Sequence, residues 1–437
     1  MEKIKYPSKV DMSSFGKDNK KNVALYGLPE KVIYCKKCVI SNQRPNSTIE
    51  FKSTNKEKKK AINLDDKGVC DACNFASKKK ITDWNERNKE LEDLCNKYRK
   101  SDGTYDCIVP GSGGKDSFYA SHILKTKYNM NPLTITWAPT LYTEWGWRNF
   151  QKWIDAGHDN YLITPNNKAH RILTRLSLDL LLHPFHPFIL GQKSLAAKIA
   201  LAFNIPLIFY GEDEAEYGNP VSSTNKPEVK RSLFSNNNKS NSKIFLGGVP
   251  VNELIDQFGL KKVDFNAYLP PDLSKIEQNK IEFYYLGYYL KWHPQSCYYY
   301  SVEHGNFEAA PERTSGTYSK YNSIDDKMDD LHYYTTLIKF GIGRATYDAA
   351  QEIRSGDITR DEGIALVKRF DQEYPKRFLK ENLKYISLPK NEFPIASEMF
   401  ESPEIDKEYF DVLCDNFRSP HLWSFENKKW ILKNQIS

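Results

Sequence analysis

Tyr105-Asp-Cys-Ile-Val-Pro-Gly-Ser-Gly-Gly-Lys-Asp-Ser-Phe118 carries an apolar run into a glycine-rich turn and straight on into a segment of helical character. Cys107, Ile108 and Val109 predict a short buried strand, and the apolar residues Phe118, Ala120, Ile123 and Leu124 predict a helix from Phe118 to Lys127. The turn between them, Gly111 to Ser117, has the layout of a phosphate-binding loop. Gly113 and Gly114 can adopt positive φ and let the backbone approach an anion, which the free N–H groups and positive end of the next helix then hold. Ser112 and Ser117 add hydroxyl donors. The string Ser-Gly-Gly-Lys-Asp-Ser at 112–117 departs from a Walker A loop, which spaces its glycines by four residues and ends in Gly-Lys-Ser/Thr. Asp116 beside an anion is unhelpful unless Mg²⁺ sits between them.

Outward from this turn, strand-like and helix-like segments alternate to about residue 300. Strands are expected at Leu133–Trp137, Tyr161–Thr164 and Ile205–Tyr210, with helices at Trp147–Ile154, Ile172–Leu182 and Leu195–Phe203. Such alternation predicts an α/β fold, a doubly wound and mostly parallel sheet whose ligands bind at the carboxyl ends of the strands. Two further strand ends stand out. Gly211-Glu-Asp-Glu-Ala-Glu-Tyr-Gly218 crowds four carboxylates into one turn, an arrangement that calls for a cation or a substrate amine unless the loop is merely solvated. Glu212 and Asp213, with Gly211, are assigned to the nucleotide and Mg²⁺ side, and Glu214 and Glu216 to substrate or ammonia. In Pro184-Phe-His-Pro-Phe-Ile-Leu-Gly-Gln-Lys193 the prolines are expected to delay the helix until Gly191, leaving Gly191 and Gln192 at its amino end to hold phosphate or ribose. His183 and His186 read as packing residues.

Toward the amino terminus, Cys35-Lys-Lys-Cys38 and Cys70-Asp-Ala-Cys73 are separated by thirty-one residues. Two such knuckles present four thiolates in a tetrahedron, a donor set that favours a structural Zn²⁺; an iron–sulfur cluster, a disulfide pair and a redox CxxC are the alternatives. Residues 1 to about 30 read as an extended polar arm, and Trp84–Tyr98 as a charged amphipathic helix. Segment 222–242 includes Ser235-Asn-Asn-Asn-Lys-Ser-Asn-Ser242, too polar to bury a core, and is read as a flap over the site or an inert insertion. Ile281–Trp292 is an aromatic, strand-like run. Beyond Arg313 the chain turns helical, with capping-box spacings at Ser323/Asp326 and Thr359/Glu362. Arg313, Lys339 and Arg344 there are candidates for an anionic sugar or nucleotide.

The 437 residues suffice for two or three folded units: 1–100 as arm and metal module, 101–310 as nucleotide domain, 311–437 as a helical substrate or partner domain. The net charge of +7 admits nucleic acid, but basic residues interleave with acids, which ranks nucleic acid second to a small anionic substrate. Residues 1–21 lack the apolar core of a signal peptide and no apolar run is long enough to cross a membrane, so a soluble, cytoplasmic protein is expected.

Ser-Gly-Gly-Lys-Asp-Ser resembles the signature of the PP-loop ATP pyrophosphatases (HUP-like folds), which grip the pyrophosphate of ATP and transfer AMP. Together with the CxxC pairs, Pro-Phe-His-Pro-Phe-Ile-Leu-Gly-Gln and Gly-Glu-Asp-Glu-Ala-Glu-Tyr-Gly-Asn, it is similar to the N-acetyl sugar amidotransferases, the PseA/WbpG type of bacterial surface-glycan biosynthesis. The resemblance runs from about residue 30 to 375. It implies ATP and Mg²⁺ as cofactors, an N-acetylated and nucleotide-linked sugar as substrate, and a separate glutaminase subunit as the ammonia source. It assigns ATP to Gly111, Ser112, Gly113, Gly114, Lys115, Asp116, Ser117, Gly191, Gln192, Gly211 and Asp213. Lys115, Asp116, Glu212, Glu214 and Glu216 are the catalytic candidates, and Tyr217 lies on the substrate side. An RNA-modifying PP-loop enzyme such as a tRNA thiolase is the alternative, for which the scattered Cys297 and Cys414 give little support.

Overall fold

The computed structural model describes residues 1–16, 23–47, 50–54, 56, 58–212, 214–217, 226–231, 234–235 and 244–437. Its centre is a sheet of five parallel strands, β1 (Cys107–Pro110), β2 (Pro132–Trp137), β3 (Asn160–Ile163), β4 (Leu207–Tyr210) and β5 (Glu282–Tyr285), in the order β3-β2-β1-β4-β5. Ile108 pairs with Leu133 on one side and Ile208 on the other, so β1 lies in the middle. The strand order reverses between β1 and β4, which makes the crevice beyond their carboxyl ends the natural ligand site.

Alternate strand residues feed two different cores, as the period of a β-strand requires. Ile108, Ile135 and Ile208 pack with α5 (Asn167–Leu181) and α6 (His186–Phe203). Cys107, Val109, Leu207 and Phe209 face the other way, onto α2 (Trp84–Tyr98) and α3 (Lys115–Thr126). The sheet is therefore covered on both faces, as the alternating pattern predicted.

Several expected boundaries shift for local reasons. The helix after β2 is α4 (Glu144–Asp155), capped by Thr143, whose hydroxyl accepts from Gly146 N. Helix α6 starts at His186 and not at Gly191, because Pro187 occupies the first turn, where a missing N–H is harmless. In the aromatic run only Glu282–Tyr285 is strand, and Leu286–Tyr289 winds into a helical turn. Ser323 does not cap a helix: its φ is +52°, and α8 begins five residues later at Met328 (Met328–Phe340). The box at Thr359/Glu362 is present, at the start of α10 (Arg360–Phe370).

The two ends of the chain share their cores. Phe15 and Leu28 of the amino-terminal arm pack with Leu331, Leu337, Trp423 and Leu432. The cysteine knuckles and α1 (Asp71–Lys79) pack with Ile342, Ala349, Ala350 and Ile364, residues on or beside α9 (Arg344–Ser355) and α10. The cysteine-knuckle segment is thus one wall of the carboxyl-terminal helical unit and not a free-standing knob.

Candidate functional site

The turn after β1 needs its glycines. Gly113 has φ +83°, and a Cβ there would meet Phe150 Cα at 2.7 Å; one on Gly111 would meet Ser117 Cβ at 2.1 Å. Gly114, at φ −68°, is the N-cap of α3, and the helix begins with Lys115. The amino end of α3 therefore opens directly onto the crevice between β1 and β4. Lys115 is buried, and its Nζ lies 2.6 Å from Asp116 Oδ2. Burial disfavours the ammonium, but the Asp116 carboxylate outweighs it and holds the Lys115 pKa above the usual lysine value. Trp292 Nε1 donates to Asp116 Oδ1 at 3.2 Å, and Ser301 of α7 (Pro294–Gly305) donates to Lys115 O at 3.0 Å.

The turn after β4 faces this one. Glu212 accepts from the Tyr217 hydroxyl at 2.8 Å. Burial, and next the nearby Asp116 carboxylate, push the Glu212 pKa up. Asp116 and Glu212, two carboxylates facing one another across the crevice, have the donor chemistry of Mg²⁺, which takes one or two carboxylates and completes its shell with phosphate oxygens and water. Glu216 is buried and ion-paired to Lys79, the last residue of α1; Lys79 also donates to Trp292 O at 2.9 Å. Asp213 and most of 222–242 lie outside the described residues, as does the side chain of Glu214.

Two cavities meet at these turns. One, of about 440 Å³, lies over the strand ends, with Gln192 on one side and Trp137, Tyr210, Phe234 and Tyr285 as an aromatic wall. Tyr210 and Phe234 stack with ring centroids 5.3 Å apart. The other, of about 460 Å³, opens toward the metal module and the carboxyl-terminal helices, against Arg44, Tyr333, Arg344, Tyr347 and Arg354. Ser112, Gly114, Asp116, Glu212 and Tyr217 border both. Gly111 and Ser117 border only the first, and Gly113, Lys115 and Glu216 only the second.

Other expected residues lie elsewhere or act differently. Gly191 sits inside α6, where a Cβ would strike the Trp137 indole at 2.1 Å; it permits close packing and does not offer a helix end to phosphate. Arg313 borders neither cavity and forms a two-pronged pair with Glu373 at 2.5 and 2.7 Å. Lys339 donates to Leu181 O at 2.6 Å and lines a separate cavity of about 140 Å³ with His183. Arg344 does reach the second cavity, tied to Asp348 at 3.1 Å. His183 stacks on His332 with centroids 5.0 Å apart, and His186 Nε2 lies 3.1 Å from Glu50 O, in line with packing roles. Arg44, Lys79, Trp292, Tyr333, Tyr347 and Arg354 were not anticipated. Only their position near a knuckle (Arg44, Lys79) could have flagged any of them.

The four knuckle cysteines are buried and their sulfurs lie within 4.8 Å of one another. Cys35 and Cys73 Sγ are 3.8 Å apart and Cys38 and Cys70 Sγ 3.7 Å. Zn–S bonds of about 2.3 Å in a tetrahedron give edges of about 3.8 Å, so the cluster has the dimensions of a single tetrahedral ion and not of disulfides. Cys35 Sγ accepts from Cys70 N at 3.3 Å and Lys37 N at 3.4 Å, N–H···S contacts that steady a thiolate. This donor set can hold a structural metal such as zinc. From α10, Arg360 Nε donates to Cys38 O at 3.3 Å, fixing the knuckle to the helical unit.

Among the described residues no helix is long and apolar enough to cross a membrane. A stretch of 77 residues is 38% identical to the uncharacterized protein MJ1599 of Methanocaldococcus jannaschii, covering 18% of this chain and 27% of that protein. Residues 315–436, which contribute α8 and α9 to the second cavity, match the family described as LPS biosynthesis protein WbpG-like, C-terminal domain. That match supports a WbpG-type protein with a part in LPS biosynthesis, and the helical unit closing the second cavity is WbpG-like.

Proposed function

We propose that the chain is an ATP-dependent, AMP-forming amidotransferase that converts the N-acetyl group of a nucleotide-linked sugar to an acetamidino group. The observation that carries this reading is the shared border of the two cavities. A nucleotide in the aromatic chamber, with its phosphates on the Gly111–Ser117 turn, would present its α-phosphate at Asp116 and Glu212, in reach of an acceptor in the second chamber. The WbpG-like domain on the acceptor side agrees with a surface-glycan substrate.

An amide carbonyl is a poor electrophile, so its oxygen has to become a leaving group first. That oxygen attacks the α-phosphorus, pyrophosphate departs, and the amide nitrogen loses its proton, leaving an O-adenylated imidate. Ammonia adds to the imidate carbon, AMP leaves with the former amide oxygen, and one proton is released. The main-chain N–H groups at the start of α3 and the Lys115 ammonium would hold the departing pyrophosphate. Mg²⁺ held by Asp116 and Glu212 would neutralise charge that builds on the phosphates.

Ammonia is drawn from a separate glutaminase subunit in this reading. Glu216, paired to Lys79, is poorly placed to accept a proton, which leaves Glu214 as the remaining candidate. Cys297, whose burial pushes its thiol well above the usual range, offers no accessible thiolate for thiolation.

The test is the purified protein with ATP, an ammonium salt and nucleotide-linked N-acetyl sugars, read by mass spectrometry. A product one mass unit lighter, with AMP and pyrophosphate in equal amounts, is expected. Substrate-dependent ADP and phosphate would overturn the mechanism. Efficient use of glutamine by the isolated chain would overturn the two-subunit arrangement.

A further inference from the structure

Arg44, from the segment between the two cysteine knuckles, and Arg354, from the last turn of α9, both line the second chamber. Most partly buried arginines of this protein meet a carboxylate: Arg175 meets Asp179, Arg344 Asp348, Arg377 Asp330 and Arg418 Asp415. Among the described residues neither Arg44 nor Arg354 has such an ion pair. Arg354 Nη2 donates to the backbone oxygen of Glu216 at 2.8 Å, and Arg44 Cζ lies 5.7 Å from the Tyr347 ring centroid. The Nη1 of Arg44 and the Nε of Arg354 are buried without a hydrogen-bond partner. Glu216, in the same wall, is already bridged to Lys79. Burial first, and then repulsion from Arg354 among other charges, hold the Arg44 guanidinium below the usual arginine range.

Two guanidinium groups with buried, unpaired donors on the wall of a cavity of about 460 Å³ offer an anion hydrogen bonds that the protein itself leaves unmade. Guanidinium forks match the paired oxygens of a phosphate or carboxylate. We propose that Arg44 and Arg354 form a second anion site, separate from the Gly111–Ser117 turn, that receives an acidic group of the acceptor. Its use for the acceptor rests on the reaction proposed above; the binding of an anion does not. The site joins residues more than three hundred positions apart, so it exists only where the metal module is docked on α9.

The test uses the full chain with its metal, titrated calorimetrically with inorganic phosphate and with D-glucuronate. Each titration is run on the protein alone and again with saturating Mg²⁺ and α,β-methylene-ATP. One anion per chain is expected to bind the analogue-loaded protein, and the tighter of the two probes identifies the acidic group as phosphate or carboxylate. Arg44→Gln and Arg354→Gln should each weaken that binding at least about tenfold and together abolish it, with analogue affinity within about twofold of wild type. Arg354→Lys keeps the charge and loses the fork, and guards against a folding defect. It should retain full metal content and still bind the anion several-fold more weakly. Absence of anion binding to the wild type, or binding that survives the double substitution, would overturn the site. Product formation is not read, and failure of the analogue to bind would sink the ATP reading while the titration of the protein alone still decides the anion site.

Discussion

The two chambers on either side of Asp116 are built in opposite ways. The first is centred on two turns, at the carboxyl ends of β1 and β4, and is closed around them by Trp137, Gln192, Phe234 and Tyr285. The second draws its walls from the cysteine module, the turn after β4 and helices α8 and α9, parts that meet only after the whole chain has folded. Local sequence therefore sets the turns at the heart of the first chamber, whereas tertiary packing sets most of the second. Damage to each should have a different signature.

Asp116 belongs to both chambers and should give the largest effect. Asp116→Asn keeps the shape but removes the charge that anchors Lys115 and that would hold the proposed Mg²⁺, and turnover should fall by about a thousandfold or more. Pyrophosphate release reports this, and a variant with near-normal rate would remove Asp116 from the chemistry.

The cysteine cluster separates the chambers. Cys70→Ser should lose its single zinc and weaken acceptor binding more than about tenfold, with ATP-analogue affinity held within about threefold. Equal loss of both affinities would mean that the chambers are not independently built. Full zinc retention, or the absorption of an iron–sulfur cluster in anaerobically purified protein, would refute the metal assignment.

Two glycines sharpen the account of the first chamber. Gly191→Ala forces a methyl into the Trp137 indole and should destabilise the protein by about 1–3 kcal/mol. Gly114→Ala meets nothing nearer than Ser112 Oγ at 3.8 Å and should change stability by less than about 0.5 kcal/mol, as thermal unfolding would show. The reverse order would mean that Gly191 is not there for packing.

A smaller effect lies in pH dependence. The Glu212 pKa is raised, so Mg²⁺-dependent nucleotide affinity, which needs the carboxylate, should decline with falling pH earlier than an ordinary glutamate would make it. The Tyr217 hydroxyl lowers that pKa, and Tyr217→Phe should move the decline to higher pH. A binding profile that stays put or moves the other way would dismiss Glu212 as the titrating group. Arg313→Gln should do least. Its pair with Glu373 is about one-third exposed and remote from both chambers, so stability should drop by no more than about 1 kcal/mol and acceptor KM should not move.

The sheet, its two covered faces and the Gly111–Ser117 turn were legible because each rests on short-range periodicity or a local backbone requirement. The four cysteines were legible for the same reason, since ligand spacing within a knuckle is a local property. Gly191 misled because a proline in the first turn starts a helix as readily as it prevents one. Arg313 and Lys339 misled because charge type alone does not reveal a partner, here Glu373 and the Leu181 carbonyl. Arg44 and Arg354 could not be paired from sequence, since they lie more than three hundred positions apart and only Arg44 has a local cue, its place just after a knuckle.

The shared core of the chain ends has a consequence for biosynthesis. Phe15 meets Trp430 with ring centroids 4.8 Å apart, and Ile4 bridges to Phe400. On the ribosome Ile4, Phe15 and Leu28 emerge well before their partners and must wait without them until residues 331–432 have been made. The sheet can form during that interval because its strands are already out. A nascent or truncated chain would therefore carry the first chamber long before α8 and α9 close the second, whose far wall would still be missing.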